Sequence, residues 1–301
     1  MPENGAGLPR ISVVTPSFNA AGTIERTLRS IEKQGYPSLQ LLCIDGGSTD
    51  GTMAEIERFR HLVSYGVTEP DHGPAEAINK GFRKANGDIF CYLNADDEFA
   101  PDALHRVAAA FAAHPEADVV AGGCRRFFPD GSTVVTQVPD RFLRVLALRD
   151  DIEQPSTFWR ASIHRRAGEL DESYRLTFDW EWWNRLLSWG ARFVRVPDVL
   201  SHYHFSETNL TSRGAQRVID EMLRVTRTYA PRRAAWTYQL LYRAFDLNGF
   251  YDRPFPELSR RRQLIFAPAL KALRWVCGPE IVDNYNWNWA SKQVRGLVWY
   301  K

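Results

Sequence analysis

Short apolar runs alternate with amphipathic segments along the first 121 residues of the chain. Apolar residues recur three or four positions apart at Ile24, Leu28 and Ile31, which predicts a helix that ends near Gly35 and Pro37. Similar helical segments separate runs of four to six mainly apolar residues, which predict buried strands at 11–14, 39–44, 63–67 and 89–93. Repeated strand–helix units with short loops predict an α/β fold, in which helices flank a mostly parallel sheet.

A different pattern follows Gly122, where the strand–helix alternation ends. The later elements that we predict are a hairpin around Asp130-Gly131, a helix at 180–189, a strand at 193–196 and helices at 237–247 and 264–277. One helix start has a more specific signal, because Thr52 and Glu55 have the spacing of a capping box.

Polar side chains follow the predicted strands of the first half. Thr15, Asp45 and Asp71 come after the first three strands, and Asp96 and Asp97 come after the fourth. In such sheets ligands bind beyond the carboxyl ends of the strands. Acids at several strand ends favour a divalent cation and its phosphate ligand, since Mg²⁺ and Mn²⁺ take oxygen ligands. The sequence has no G-x-G-x-x-G after the first strand, which argues against nicotinamide binding. It also has no P-loop motif and no G-x-S-x-G motif, which argues against P-loop NTPases and α/β-hydrolases.

Composition agrees with a folded domain and adds one asymmetry. Hydrophobic residues make up 44% and charged residues 25% of the 301 residues, which is ordinary for a globular protein. No run approaches the ~20 apolar residues of a membrane-spanning helix. The four cysteines are scattered, so we expect buried free thiols. Residues 220–301 carry 14 basic and 7 acidic residues and five of the ten tryptophans.

The basic, aromatic end has two interpretations. It could lie on a bilayer as an amphipathic surface, or it could be a helical cap that packs its aromatic residues on the rest of the chain. The N-terminal segment MPENGAGLPR lacks the basic-then-apolar pattern of a secretory signal, so we expect a cytoplasmic protein, with contact to the inner face of the membrane left open. No recognised motif supports nucleic-acid binding.

Five motifs occur in order along the chain: VVTPSFNA, IDGGSTDGT, EPDHGPAEAINKG, ANGDIFCYLNADD and FDWEWWNRL. Together they resemble an inverting family 2 glycosyltransferase with the GT-A nucleotide-sugar-binding fold, over about residues 10–212. The resemblance implies a catalytic domain with a donor half and an acceptor half, between a flexible N-terminus and a helical extension. The boundaries that we expect are 1–9, 10–122, 123–215 and 216–301.

The resemblance also implies roles for individual residues. Asp179 would be the general base that takes the proton of an acceptor hydroxyl. Asp97 would hold Mn²⁺ or Mg²⁺ against the donor diphosphate, and His204 is a further candidate ligand. The donor nucleotide would contact Thr15, Pro16, Asp45, Asp71, Lys80 and Asp96. The acceptor would contact Gln154, Trp180, Glu181 and Trp182.

Several of these residues have structural alternatives. Asp179 could be the N-cap of the helix predicted from Trp180, and the segment around Gln154 could be an ordinary strand. Trp183 shares a helix face with Leu186, so at least one tryptophan of that run is expected in the core.

The implied activity is transfer of a sugar from a nucleoside-diphosphate sugar to a hydroxyl of a glycan or lipid-linked glycan, by single displacement with inversion. UDP is the commonest donor nucleotide of the family, and surface polysaccharide biosynthesis is the implied setting. Two alternatives stay open. One is a sugar nucleotidylyltransferase, which has a related fold and metal use; the other is a non-catalytic nucleotide-sugar or glycan-binding module.

Overall fold

The computed structural model describes residues 7–140, 142–205 and 215–236, together with residues 239 and 275. The chain divides into two compact units, one of residues 1–144 and 151–206, the other of residues 145–150 and 207–301. In the second unit, α8 spans Ala215–Tyr229. The helices expected at 237–247 and 264–277, and the choice between a bilayer surface and a cap, lie outside the described residues, apart from the isolated residues 239 and 275.

The first half of the first unit alternates strands and helices as the hydrophobic pattern predicts. In chain order the elements are β1 Ile11–Ser17, α1 Ile24–Glu32, β2 Leu39–Asp45, α2 Thr52–Arg58, β3 Val63–Thr68, α3 Pro74–Lys84 and β4 Ile89–Tyr92. The four strands pair in parallel in the order β3-β2-β1-β4. Their carboxyl ends therefore meet along one edge of the sheet, where ligands bind in folds of this kind.

The second half adds strands of both directions. The elements are β5 Glu98–Phe99, α4 Ala103–Ala113, β6 Val119–Phe127, β7 Thr133–Thr136, α5 Phe142–Val145, a 3₁₀ turn at Gln154–Ser156, β8 Thr157–Arg160, α6 Ala161–Ala167, α7 Phe178–Ser188 and β9 Phe193–His204. β8 lies antiparallel between β4 and β6, while β6 and β9 are parallel. β6 and β7 form the predicted hairpin around Asp130-Gly131.

Helices cover both faces of the parallel strands. Val13 of β1 belongs to one apolar cluster with Leu28 of α1 and Leu104 of α4. The next residue, Val14, points to the opposite face, because side chains alternate along a strand. There it meets α3 so closely that a Cβ on Gly81 would clash with its Cγ1. Glycine at this position lets α3 pack directly on β1.

One local prediction, the capping box at Thr52, is wrong. The N-cap of α2 is Gly51, with φ of 98°, and Thr52 makes no capping bond. The Thr52 hydroxyl instead donates to Asp50 and accepts the Ala20 N–H, which ties the loop after β1 to the loop after β2. The alternative in which Asp179 is the N-cap of α7 does not hold either, because α7 begins at Phe178 and its N-cap is Thr177.

The expected buried thiols agree with the structure where they can be compared. Cys43, Cys91 and Cys124 are buried and unbridged, and Cys277 lies outside the described residues. Within the described ranges, every helix is too short or too polar to span a bilayer.

Candidate active site

Asp45, the last residue of β2, joins the carboxyl ends of three strands. Its carboxylate is fully buried and accepts hydrogen bonds from the hydroxyls of Ser17 (2.9 Å), Ser48 (2.5 Å) and Thr68 (2.6 Å). The N–H groups of Gly47 (3.1 Å) and Ser48 (2.8 Å) donate to it as well. Burial raises the pKa of Asp45, but these donors outweigh it and hold the pKa below its ordinary value. Asp45 lies where the donor nucleotide was predicted to bind, and its oxygens already accept hydrogen bonds from the protein.

The end of β1 contributes a buried hydroxyl. Thr15 is 0% exposed, and its Oγ1 has no hydrogen-bond partner in the part of the chain that the structure describes. Pro16 follows it, paired in register with Ile44 of β2. Two residues after the strand, Asn19 has a positive φ of 49° and its side-chain oxygen accepts the Thr49 N–H at 3.0 Å. The loops after β1 and β2 are thus fastened together.

Asp71 packs directly over Gly46, the residue that follows Asp45. A Cβ at Gly46 would lie 2.6 Å from Oδ2 of Asp71, while Oδ1 accepts the Gly73 N–H at 2.8 Å. Burial raises the pKa of Asp71, and the Lys80 charge partly offsets it. The structure therefore brings Asp71 to the predicted donor site, in the space that a side chain at position 46 would take.

Lys80 is occupied by neighbouring carboxylates. Its Nζ lies 3.0 Å from Glu69 and 3.1 Å from Glu76. His72, another basic side chain of this segment, bonds Glu76 through Nδ1 at 2.7 Å. A diphosphate could reach Lys80 only by competing with these acids. The Glu76–Lys80 pair was visible in the sequence as an i,i+4 pattern on α3.

α1 holds the turn that carries the two acids after β4. Arg26 donates to the main-chain carbonyl of Asp96 at 2.9 Å, and Thr27 Oγ1 donates to that of Asp97 at 2.7 Å. The Asp97 N–H donates to the carbonyl of Asn94 at 3.1 Å and closes the turn. Sequence reasoning missed Arg26 and Thr27, which belong to none of the five motifs.

Ser30 of α1 and Gln34, two residues beyond the end of that helix, hold the chain that follows the turn. Ser30 Oγ accepts the Phe99 N–H at 3.0 Å. Gln34 Nε2 donates to the Ala100 carbonyl at 3.0 Å, and its Oε1 accepts the Leu104 N–H at 3.2 Å. Four polar side chains thus position the segment that contains the acidic turn: Arg26, Thr27 and Ser30 on α1, and Gln34 two residues after its end.

The Asp97 carboxylate is buried and only partly bonded. The residue is 1% exposed, and Oδ2 lies 3.4 Å from the amide nitrogen of Asn94. Oδ1 has no partner among the described residues. Burial raises the pKa of Asp97 well above its ordinary value, and the neighbouring Asp96 raises it further. A buried carboxylate oxygen without a partner costs free energy, and a divalent cation would satisfy it.

The residues around Asp97 fit a cation bound jointly with a phosphate ligand. Among the described residues, no group of three or more His, Cys, Asp and Glu side chains is arranged to hold a metal. Mg²⁺ is commonly bound by one or two carboxylates, with substrate phosphates and water completing its coordination. One orphaned oxygen beside a second acid, Asp96, matches that mode better than a closed protein site.

His204 lies near these acids but is bonded to another one. Its Nε2 is 2.7 Å from Glu98, which also pairs with Arg26 at 3.2 Å. The His204 ring stacks on Phe127 with centroids 4.7 Å apart. Burial raises the pKa of Asp96, and the nearby charges of Arg26 and His204 oppose that effect. His204 would reach a metal through Nε2 only by leaving Glu98.

Gln154 lies beneath the acidic turn. Its amide nitrogen donates to the Tyr92 carbonyl at 2.8 Å, and its oxygen accepts from the Asn94 amide at 3.2 Å. Only 8% of the residue is exposed. The structure places it on a 3₁₀ turn, and the strand considered as an alternative begins three residues later, at Thr157.

Asp179 lies in the first turn of α7 and is half-buried. Its Oδ1 accepts the Trp180 N–H at 2.8 Å. The preceding residue, Phe178, has its ring 6.0 Å from that of Tyr92, at the end of β4. This contact brings the start of α7 to the strand that leads into the acidic turn.

The three other candidates on α7 are buried. Glu181 is 5% exposed and bonds Arg185 through both oxygens, at 3.1 and 2.8 Å. Trp182 is fully buried, with its ring 6.0 Å from Trp159 and the Arg185 guanidinium 4.9 Å from the ring centroid. Trp180 is 2% exposed. We predicted four site residues in this segment: Asp179, Trp180, Glu181 and Trp182. Among them, Asp179 alone keeps substantial exposure.

Comparison with protein families decides the class. The family model described as "Glycosyl transferase family 2" matches residues 12–167, more than half of the chain. The chain belongs to glycosyltransferase family 2. The matched part runs from β1 to the end of α6 and includes Asp45, Asp97 and Gln154. The family resemblance and the enzyme class that the motifs predict are confirmed, and the nucleotidylyltransferase alternative has no support.

The names of two relatives of this chain state the biosynthetic process in which each acts. The chain is 28% identical to a PGL/p-HBAD biosynthesis glycosyltransferase of Mycobacterium tuberculosis, over 64% of this chain and 75% of the relative. It is 34% identical to TuaG of Bacillus subtilis, which is named for teichuronic acid biosynthesis, over 33% of this chain and 40% of the relative.

Two solved structures have the same fold. The structure of S. aureus TarS in complex with UDP-GlcNAc matches with a TM-score of 0.59 and 15% identity, over 96% of this chain and 89% of that one. The mannosyltransferase PcManGT from Pyrobaculum calidifontis, in complex with GDP-Man and Mn²⁺, matches with a TM-score of 0.58 and 20% identity, over 96% and 85%. The predicted GT-A fold is confirmed.

Proposed function

We propose that this glycosyltransferase moves a sugar, with inversion, from a nucleoside-diphosphate sugar to a hydroxyl of a glycan or lipid-linked glycan. The observation that carries the proposal is the buried, unpartnered Oδ1 of Asp97 within the described site, at the carboxyl end of parallel strands. Relatives named for teichuronic acid and PGL/p-HBAD biosynthesis support surface polysaccharide biosynthesis as the setting.

The donor nucleotide would lie along the ends of β1, β2 and β3. The residues that we propose for it are Thr15, Pro16, Asp45, Asp71, Lys80 and Asp96. Thr15 offers a buried hydroxyl without a partner in the described chain, and Asp71 offers the carboxylate oxygen that packs on Gly46. We propose UDP as the nucleotide, with GDP as the alternative, since the similar structures hold UDP-GlcNAc and GDP-Man.

Asp97 would hold a Mn²⁺ or Mg²⁺ ion, with His204 as a further ligand if its ring leaves Glu98. When bound, the ion supplies positive charge that stabilises the departing diphosphate. The chain's own contribution is a fixed turn: Thr27 and Arg26 hold its main chain and so restrict where the Asp97 carboxylate can lie.

Asp179 is the group that we propose as general base. Its carboxylate takes the proton of the acceptor hydroxyl while that oxygen bonds to the anomeric carbon of the sugar. The bond from the anomeric carbon to the diphosphate breaks in the same step, and the nucleoside diphosphate leaves with the electron pair. Attack on the face opposite the leaving group inverts the anomeric configuration.

The acceptor would lie over the start of α7. We propose that Gln154, Trp180, Glu181 and Trp182 support the acceptor as the packed floor beneath it, because each is at most 8% exposed. Contact with the inner face of a membrane through residues 220–301 and a cytoplasmic location remain part of the proposal.

Calorimetric titration of UDP, GDP and dTDP, each with Mn²⁺ and with EDTA, tests the donor site. We expect one nucleotide to bind more tightly with Mn²⁺. Asp179→Asn should keep that binding and lose sugar transfer, whereas a non-catalytic binding module would have no transfer to lose. Absence of nucleotide binding with Mn²⁺ would overturn the donor site, and full transfer by Asp179→Asn would overturn the base.

A further inference from the structure

Asn94 and Gln154, sixty positions apart in sequence, form a chain of amides that ends on the Asp97 carboxylate. Gln154 Nε2 donates to the Tyr92 carbonyl at 2.8 Å. Asn94 Nδ2 donates to Gln154 Oε1 at 3.2 Å and to Asp97 Oδ2 at 3.4 Å. The chain of contacts therefore runs from the main chain of β4, through two side chains, to one oxygen of Asp97.

The Tyr92 carbonyl sets the direction of every bond in this chain. A carbonyl can only accept, so Gln154 must turn its NH₂ group toward Tyr92 and its oxygen toward Asn94. Asn94 must then present its NH₂ group, whose two hydrogens serve Gln154 and Asp97. The Asp97 carboxylate consequently meets a donor at Oδ2, while Oδ1 has no partner within the described residues.

The geometry points to Asn94 and Gln154 as positioning residues for the divalent cation: they restrain Oδ2 of Asp97 and leave Oδ1 directed to the metal. This inference rests on the proposed metal role of Asp97. It gives Gln154 a task other than acceptor contact, which agrees with its burial beneath the turn. Mutation of residues that orient a metal ligand in this way typically lowers metal affinity 10–100-fold.

The restraint on the side chain is separate from the restraint on the main chain. Thr27 holds the carbonyl of Asp97 from α1, on its own hydrogen bond of 2.7 Å. Removing the Asn94 or Gln154 amide should leave that bond in place. The turn would then keep its position, and the expected change is in the orientation of one carboxylate.

The test uses two variants of similar size, Asn94→Leu and Gln154→Met, in the full chain. The control is Gln40→Met, which also removes a buried glutamine, bonded to Ser12 at 2.6 Å and to the Asn86 N–H at 2.9 Å. Gln40 lies at the amino end of β2, away from the acidic turn. The measurement is binding of the nucleoside diphosphate that the wild type prefers, titrated over a range of Mn²⁺ concentrations and in EDTA, with thermal unfolding of each variant.

We expect Asn94→Leu and Gln154→Met to need 10–100-fold more Mn²⁺ for half-maximal enhancement of nucleotide binding, with binding in EDTA unchanged. Gln40→Met should lower the unfolding temperature without moving the Mn²⁺ dependence. An unchanged Mn²⁺ requirement in Asn94→Leu would overturn the inference and leave the proposed function intact. An unchanged requirement in Gln154→Met alone would remove Gln154 from it. A wild type without Mn²⁺ dependence would overturn the metal role of Asp97 and this inference with it.

Discussion

The hydroxyl of Thr27 donates a hydrogen bond of 2.7 Å to the main-chain carbonyl of Asp97, seventy residues later in the chain. Thr27 is fully buried in α1. The bond fixes the main chain of the acidic turn independently of the Asp97 side chain, so it can be tested by a change that touches no charge.

Thr27→Val should destabilise the protein by about 1–3 kcal/mol, because it leaves the Asp97 carbonyl without its donor. It should also weaken Mn²⁺-dependent nucleotide binding, since the turn loses its anchor. Thr27→Ser keeps the hydroxyl and should retain that binding. Urea unfolding and calorimetry on both variants are the measurements, and a binding loss in Thr27→Ser as large as that in Thr27→Val would contradict the role of the hydroxyl.

Asp97→Asn should raise the stability of the metal-free protein at neutral pH by about 1–3 kcal/mol, because it removes a buried carboxylate with an unsatisfied oxygen. The folded-state pKa of Asp97 lies above the ordinary 3.8, so the folded protein binds the proton more tightly than the unfolded chain does. The stability that protonation of Asp97 contributes is fully present below pH 3.8 and is lost as the pH rises through the folded-state pKa of Asp97.

Urea unfolding of wild type and Asp97→Asn in EDTA, from about pH 5 to pH 8, checks this sign. The difference between the two should grow with pH, while Mn²⁺-dependent nucleotide binding disappears in the variant. A variant less stable than the wild type at the upper end of this range would contradict our account of the carboxylate.

Gly46→Ala should weaken binding of the donor nucleotide by about tenfold, or 1.4 kcal/mol. The new Cβ would lie 2.6 Å from Oδ2 of Asp71 and displace that carboxylate. Gly22→Ala is the matched control, because a Cβ there meets nothing within 4 Å. Calorimetry in EDTA separates this effect from the metal, and equal affinities in the two variants would argue against Asp71 as a donor contact.

His164 should make the fold sensitive to mild acid. It is buried among aromatic rings, accepts the Trp159 indole N–H at 3.3 Å, and burial lowers its pKa from 6.5 to about 4. The folded protein therefore binds the proton less readily than the unfolded chain. The stability that depends on neutral His164 is present above pH 6.5 and is lost as the pH falls toward 4.

We expect this group to account for about 2 kcal/mol of stability lost between pH 7 and pH 5. His164→Asn removes the titrating group and keeps an acceptor for Trp159. Urea unfolding of both proteins at the two pH values gives the difference, from which other titrations cancel. If the variant loses as much stability as the wild type, protonation of His164 is not the cause.

The parallel half of the fold was predictable because its signals are local. Each buried strand is a short apolar run, and an acid placed at the end of such a run must lie at the carboxyl edge of the sheet. Strand ends alone therefore assign Thr15, Asp45, Asp71, Asp96 and Asp97 to one edge, and the folded chain has them there.

The bonding state of those residues could not be predicted in the same way. The amide chain from Gln154 to Asp97 depends on packing between segments sixty residues apart, which leaves no periodic trace in the sequence. The Trp180–Trp183 run was ambiguous because nearly every side of α7 is buried, so a helical period does not separate core from ligand contact.

The polar side chains of α1 and of the turn that ends it limit which changes the chain can tolerate. Arg26, Thr27, Ser30 and Gln34 each hold a different point of the segment from Asp96 to Leu104. Successive residues of a helix are about 100° apart, so deleting one residue between Thr27 and Ser30 would turn Ser30 away from Phe99 and shift the turn that carries Gln34. The outer side chains of α1 can therefore vary, whereas the number of residues between these contacts cannot.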